Sequence, residues 1–234
     1  MLSPGPWQTL GVNADRFERL AAASLYLVCG ALTDARLDAA LRGGVEIVQL
    51  RCKDAEDHEV VAVGRRYAAA CERFGVPLIL NDRPDLVAAV RADGVHLGQD
   101  DLGVEQARQL LGSDRIIGSS THSPGQIDAA LAAGVDYIGV GPVHATPTKP
   151  GRPAVGAELV AYAAAHARMP FFAIGGIDAT NVGAVLAAGA QRVAVVRAIA
   201  GAEDPERAAA ELRAALAASR PRGREVGVGD AAGA

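Results

Sequence analysis

One punctuation mark recurs along this chain: a stretch favouring helix closes on Gly followed by Val or Ala, and a short apolar run begins at once. It stands at Gly44-Val45, Gly75-Val76, Gly94-Val95, Gly134-Val135 and Gly189-Ala190. A helix C-terminus favours a left-handed residue, so each site predicts the end of one helix and entry into the next strand. Eight strands are predicted, at 25–29, 46–50, 78–81, 95–97, 116–119, 137–140, 171–174 and 193–196. Between them Val60, Val63, Tyr67, Ala70 and Phe74 recur at helical spacing, as do Ile127, Ala130 and Leu131, predicting amphipathic helices outside a sheet. Eight such units in 234 residues predict an α/β chain folded as a (β/α)8 TIM barrel. A doubly wound open sheet is the competing arrangement, because periodicity alone does not prove closure. Residues 13–23 read as an extra N-terminal helix, which makes 13–218 one catalytic domain. In residues 219–234, Arg, Gly and Pro dominate and apolar periodicity stops, which predicts a flexible C-terminal tail.

Composition narrows the functional classes. A chain that is 50% hydrophobic and only 4% aromatic builds its core from Ala, Val, Leu and Ile. A net charge of -4 without a basic run argues against nucleic-acid binding, so any anion site must be local. Cys29, Cys52 and Cys71 form no CxxC pair, which points to reduced thiols and a cytoplasmic setting. No segment is long and apolar enough to span a bilayer, and Leu20 to Leu32 lacks the pattern of a secretion signal. The oligomeric state stays open, self-association included.

In a (β/α)8 barrel the residues just after each strand form one ring, and here that ring is polar. Gln49, Arg51 and Lys53 alternate at the end of the second strand, so they share a face and suit an anion. Asn81 and Asp82 follow the third strand; Gln99, Asp100 and Asp101 follow the fourth; Ser119, Ser120, Thr121 and His122 follow the fifth. Asp82 and Asp101 could hold a hard cation such as Mg2+ through oxygen ligands, with helix capping as the rival role for each. Thr146, Thr148 and Lys149, stiffened by Pro147 and Pro150, form a loop suited to phosphate, and Gly175-Gly176 allows backbone amides to approach a ligand at a helix start. His122 could serve as an acid or base or cap the fifth loop, no Ser-His-Asp or Cys-His spacing being evident; His96 reads as a support for Asp101 by packing or hydrogen bonding, and zinc-ligand spacing is absent.

These motifs together resemble the thiamine-phosphate synthase family over residues 24–205. The resemblance rests on Gln49-x-Arg51-x-Lys53, Asn81-Asp82, the run from Val95 to Gly98 with Gln99-x-Asp101, Gly118-x-Ser120-x-His122, Gly141-Pro142-x(3)-Thr146-x-Thr148-Lys149 and Gly175-Gly176-Ile177. It implies a TIM barrel, Mg2+ as cofactor, and two small-molecule substrates: 4-amino-2-methyl-5-(diphosphooxymethyl)pyrimidine and a thiazole phosphate. By similarity Gln49, Arg51, Lys53 and Asn81 would contact the pyrimidine diphosphate, Asp82 and Asp101 would bind Mg2+, Ser120 would lie near the reacting pyrimidine, and Lys149 would hold diphosphate. Arg51, Lys53, Ser120 and Lys149 are the expected catalytic residues. Thr146 and Thr148 would face the thiazole phosphate, cradled by Gly176 and the backbone near Val196 and Arg197. His144-Ala145 and Arg197 depart from the family pattern. A thiazole tautomerase using His122, and a non-catalytic ligand-binding regulator on the same barrel, are the alternatives; neither needs a complete diphosphate and metal site.

Overall fold

The computed structural model describes residues 14–146 and 153–219. The strands are β1 (Leu25–Cys29), β2 (Ile47–Leu50), β3 (Leu78–Asn81), β4 (Gly94–Leu97), β5 (Ile116–Thr121), β6 (Tyr137–Val140), β7 (Phe171–Ile174) and β8 (Val193–Val195). The helices are α1 (Ala14–Ala22), α2 (Asp34–Arg42), α3 (Asp57–Phe74), α4 (Val87–Val90), α5 (Val104–Leu111), α6 (Pro124–Ala133), α7 (Gly156–His166), α8 (Val182–Ala187), α9 (Arg197–Ala200) and α10 (Pro205–Ser219). The strands form a closed parallel barrel in sequence order, which excludes the open sheet; β8 returns to β1 with Tyr26 opposite Ala194. The expected tail lies outside the described residues from 220 onward, and Ser219 is the last residue of α10.

Alternation along each strand sorts side chains into two cores. Leu25, Leu27, Val48, Leu50, Leu78 and Leu80 point outward into the layer shared with the helices. Tyr26, Val28, Ile47, Ile79, Ile116, Tyr137, Phe172 and Ala194 fill the interior, where Leu20 and Ala23 from the α1 end of the chain join them. The expected helical stripe of α3 is buried at Val60, Tyr67 and Ala70, whereas Phe74, in the final turn, stays 37% exposed.

Three carboxylates pin the strand starts. Glu46, just before β2, accepts from Ser24 N at 2.7 Å and Leu25 N at 3.2 Å, and pairs with Arg213 at 2.7 Å. Asp93, before β4, accepts from Leu78 N at 2.9 Å, and Asp136, before β6, from Ile117 N at 2.7 Å. Each satisfies a backbone donor at the N-terminal mouth, the end of such barrels associated with stability rather than chemistry.

The Gly-Val punctuation has one exception. Gly44, Gly75, Gly134 and Gly189 have positive φ, but Gly94 does not: Arg91 (φ 66°) closes the preceding helix, and Gly94 opens β4. A Cβ at Gly94 would lie 2.0 Å from Ile116 O, so strand contact is what demands glycine there.

Candidate active site

At the C-terminal mouth the strand ends surround a cavity of about 650 Å3. Every described residue of the expected constellation lines it: Gln49, Arg51, Lys53, Asn81, Asp82, Asp101, Ser120, Thr146, Gly176, Val196 and Arg197. Thr148 and Lys149 lie outside the described residues. Gln49 faces inward from β2 and is 3% exposed; Arg51 and Lys53 follow where the chain leaves the strand, and Cys52 packs against the outer core. The sequence alternation therefore continues past the last paired residue.

Asp82 and Asp101 come together across the β3 and β4 loops. Burial, followed by the adjoining Asp101 carboxyl, pushes Asp82 up to about 6, while Lys53, whose Nζ is 3.9 Å from Asp82 Oδ2, pulls the other way. Asp82 also holds a left-handed backbone (φ 61°), a conformation that costs a non-glycine residue about 1–2 kcal/mol. Neither carboxylate is an N-cap, the positions before the next helical turns being Arg83 and Gly103. Asp101 instead closes its own loop by accepting from Gly98 N at 2.8 Å. Two carboxyl groups in mutual reach are mismatched as a pair of anions and matched to a hard divalent cation. Among the described residues no cluster of three or more His, Cys, Asp or Glu stands at this place.

The opposite wall is built by close backbone approach. Val143 N donates to Ile174 O at 2.8 Å and His144 N to Gly175 O at 3.0 Å, so the β6 loop runs along the β7 loop. A Cβ at Gly175 would lie 2.5 Å from Pro142 Cα, and one at Gly176 2.8 Å from His144 Cβ; both glycines also have positive φ. Gly175-Gly176 is thus required by the neighbouring loop as well as available to a ligand. It does not open a helix directly, because the turn Asp178 to Asn181 precedes α8, with Asn181 Nδ2 donating to Gly176 O at 2.8 Å. His122 lines the cavity, and its Nδ1 is bound to Gly141 O.

The floor holds what the sequence reading missed. Tyr26, Tyr137 and Phe172 pack edge to face, with ring centroids 5.2–5.9 Å apart. Through them runs a chain of hydrogen bonds: Gln49 Nε2 to Tyr26 Oη at 2.6 Å, Tyr26 Oη to Tyr137 Oη at 2.8 Å, Tyr137 Oη to His96 Nδ1 at 3.0 Å, and His96 Nε2 to Ser120 Oγ at 2.9 Å. Both ring nitrogens of His96 are thereby engaged with Tyr137 and Ser120. Burial pushes the ionisation of both tyrosines upward, so they remain neutral phenols. The available signal was parity: Tyr26, His96, Ser120 and Tyr137 all sit at inward positions of their strands.

A family model described as thiamine monophosphate synthase matches residues 25–199. A thiamine-phosphate synthase of Thermosynechococcus vestitus is 48% identical over 216 residues, covering 91% of this chain and 61% of that protein. One from Thermus thermophilus is 56% identical over 182 residues, covering 77% of this chain and 87% of the relative. The chain therefore spans less than two thirds of the first relative and most of the second. Among solved structures, thiamine phosphate pyrophosphorylase from Pyrococcus furiosus superposes with a TM-score of 0.79 at 30% identity, covering 86% of this chain and 98% of that one.

Proposed function

The chain belongs to the thiamine monophosphate synthase family, and from that premise we propose that it is a thiamine-phosphate synthase, a transferase joining the pyrimidine diphosphate to the thiazole phosphate with release of diphosphate. The observation that carries this reading is the joining of Gln49, Arg51, Lys53, Asp82, Asp101 and Ser120 around one cavity. A tautomerase would have no use for the cationic pair or the two carboxylates.

The chemistry follows from charge. The bond between the pyrimidine methylene and the diphosphate oxygen breaks, its electron pair leaving with the oxygen. The electron-rich aminopyrimidine supports the resulting methylene cation, and the thiazole nitrogen lone pair forms the new carbon-nitrogen bond. Arg51 and Lys53 would bind the diphosphate and meet its growing negative charge; Lys149 is assigned the same task from the sequence alone. Asp82 and Asp101 would hold Mg2+, which when bound supplies charge neutralisation at the leaving group. Gln49, Asn81 and Ser120 would orient the pyrimidine. Thr146 and Thr148, with Gly176 and the turn at Val196 and Arg197, would hold the thiazole phosphate, and the geometry of the described ones, which share the wall formed by the β6, β7 and β8 loops, supports that division. Most of the rate enhancement would then come from holding two substrates in line and stabilising the leaving group.

Among the described residues no helix is long and apolar enough to cross a membrane, and Cys29, Cys52 and Cys71 are free thiols, which supports a cytoplasmic setting. Incubating folded protein with both substrates and Mg2+ tests the activity: thiamine phosphate in the mass spectrum supports it. Conversion of the thiazole phosphate alone, without joined product, would reassign the chain to isomerisation.

A further inference from the structure

We infer that the buried chain from Gln49 to Ser120 is a one-way hydrogen-bond relay that holds Ser120 as a donor toward the pyrimidine diphosphate, with His96 and Tyr137 as its positioning residues. This rests on the synthase reading only for the identity of the acceptor; the polarity of the relay stands on geometry.

The direction is set at Gln49. Its amide nitrogen Nε2 faces Tyr26 Oη at 2.6 Å, and an amide nitrogen donates but does not accept. Tyr26 therefore receives at that contact, and its own proton, buried from water, has the Tyr137 hydroxyl 2.8 Å away as its acceptor. Tyr137, having received, donates to His96 Nδ1 at 3.0 Å, which must then carry a lone pair. In a neutral imidazole the proton is consequently on Nε2, where it is donated to Ser120 Oγ at 2.9 Å. Ser120, already an acceptor from His96, has its hydroxyl proton to offer into the cavity that it lines. Run backwards, the chain would have Tyr26 accept from both neighbours, leaving its own buried proton beside an amide nitrogen that does not accept.

The surroundings maintain this order. Tyr26 and Tyr137 are each at most 1% exposed, so water does not compete for their hydroxyls. Gly118 lies opposite Tyr137 in the β5–β6 register, and a Cβ there would lie 2.1 Å from Tyr137 Cζ, so glycine makes the seat of that ring. Gln99 Nε2 donates to Ser120 O at 2.6 Å, fixing the serine main chain independently of its hydroxyl. The donor end matters because the substrate presents lone pairs, on ring nitrogens and diphosphate oxygens, to whatever Ser120 offers.

The test reads the tautomer first. In protein labelled with 15N only at histidine, two-bond proton–nitrogen correlation, assigned by loss of the signal in H96Q, should find His96 protonated at Nε2 and bare at Nδ1 in the resting protein. A proton on Nδ1, or on both nitrogens at neutral pH, overturns the relay. Tyr137→Phe should then shift His96 toward the Nδ1-protonated form and lower kcat about tenfold, the loss expected for one hydrogen bond turned from donor to acceptor. In a Ser120→Ala background the same change should cost nothing further; multiplicative losses would mean that Tyr137 acts independently of Ser120 and would overturn the relay. Should Tyr137→Phe fail to fold, Tyr26→Phe interrupts the chain one step earlier and is read by the same two measurements. The tautomer is observed without substrates. A wrong tautomer thus leaves the synthase reading intact, and an inactive protein with the expected tautomer fails that reading alone.

Discussion

Gly118→Ala is the substitution whose consequence can be worked furthest from the geometry. The new Cβ would lie 2.1 Å from Tyr137 Cζ and 2.6 Å from its Oη, whereas ordinary contact begins near 3.4 Å, so the ring must withdraw by roughly 1.3 Å. Tyr137 is fully buried between Tyr26 and Phe172, and a ring displaced that far lengthens its 2.8 Å bond to Tyr26 and its 3.0 Å bond to His96. Overpacking costs about 1–3 kcal/mol and each lost hydrogen bond about 1 kcal/mol. Against this, removing a glycine from the unfolded chain contributes about 0.4–1 kcal/mol of stability. The net expectation is a loss of about 2–4 kcal/mol, or about 4–16 °C in melting temperature for a chain of this size. Gly139→Ala is the matched control: it also faces inward, but its Cβ would meet nothing nearer than His96 Cε1 at 3.5 Å. The control should stay within about 1 kcal/mol of the parent, because it gains the same unfolded-state term without the clash. Differential scanning calorimetry of the three proteins decides the matter. If Gly118→Ala melts with or above Gly139→Ala, the packing of Tyr137 over Gly118 is not what seats the relay.

Glu46→Ala removes an acceptor shared by two backbone amides and an ion pair with Arg213, so it should lower stability by about 2–4 kcal/mol in thermal melts while leaving kcat unchanged, because it sits at the mouth opposite the cavity. Lys53→Ala should lower kcat/KM for the pyrimidine diphosphate on the order of a hundredfold with little change in melting temperature, the side chain being 53% exposed; unaltered steady-state kinetics would remove Lys53 from the anion site. Asp82 titrates higher in the folded chain, at about 6, than its ordinary value of 3.8. Folding therefore takes up a proton in that window, and the contribution to stability is fully present below 3.8 and lost as pH rises through about 6. Melts in chelator across this range should show that decline, and Asp82→Asn should flatten it.

The strand grammar was legible because β-strand entry is a local event. The runs 25–29, 78–81, 137–140 and 171–174 coincide with β1, β3, β6 and β7 to the residue. Gly94 was misread because its need for glycine comes from Ile116 on another strand, a contact that no local pattern encodes. The mouth was legible for a different reason: strand ends in a barrel converge, so polar residues distant in sequence are brought to one place. Tyr26 and Tyr137 escaped notice because a buried tyrosine on an apolar strand looks like core; only the pairing of their hydroxyls across the barrel makes them polar parts. The same limit applies to Glu46, Asp93 and Asp136, whose recurrence before β2, β4 and β6 acquires meaning once the preceding odd strands are known to start beside them.

The most direct test of the synthase reading is a matrix of omissions on one preparation, measuring diphosphate and thiamine phosphate together. With both substrates and Mg2+ present, the two products should appear in equal amounts, and withdrawing Mg2+ with chelator should suppress both in parallel. No joined product from folded protein, or product formation indifferent to chelator, would contradict the proposed metal-assisted departure of diphosphate from the cavity formed by Arg51, Lys53, Asp82 and Asp101.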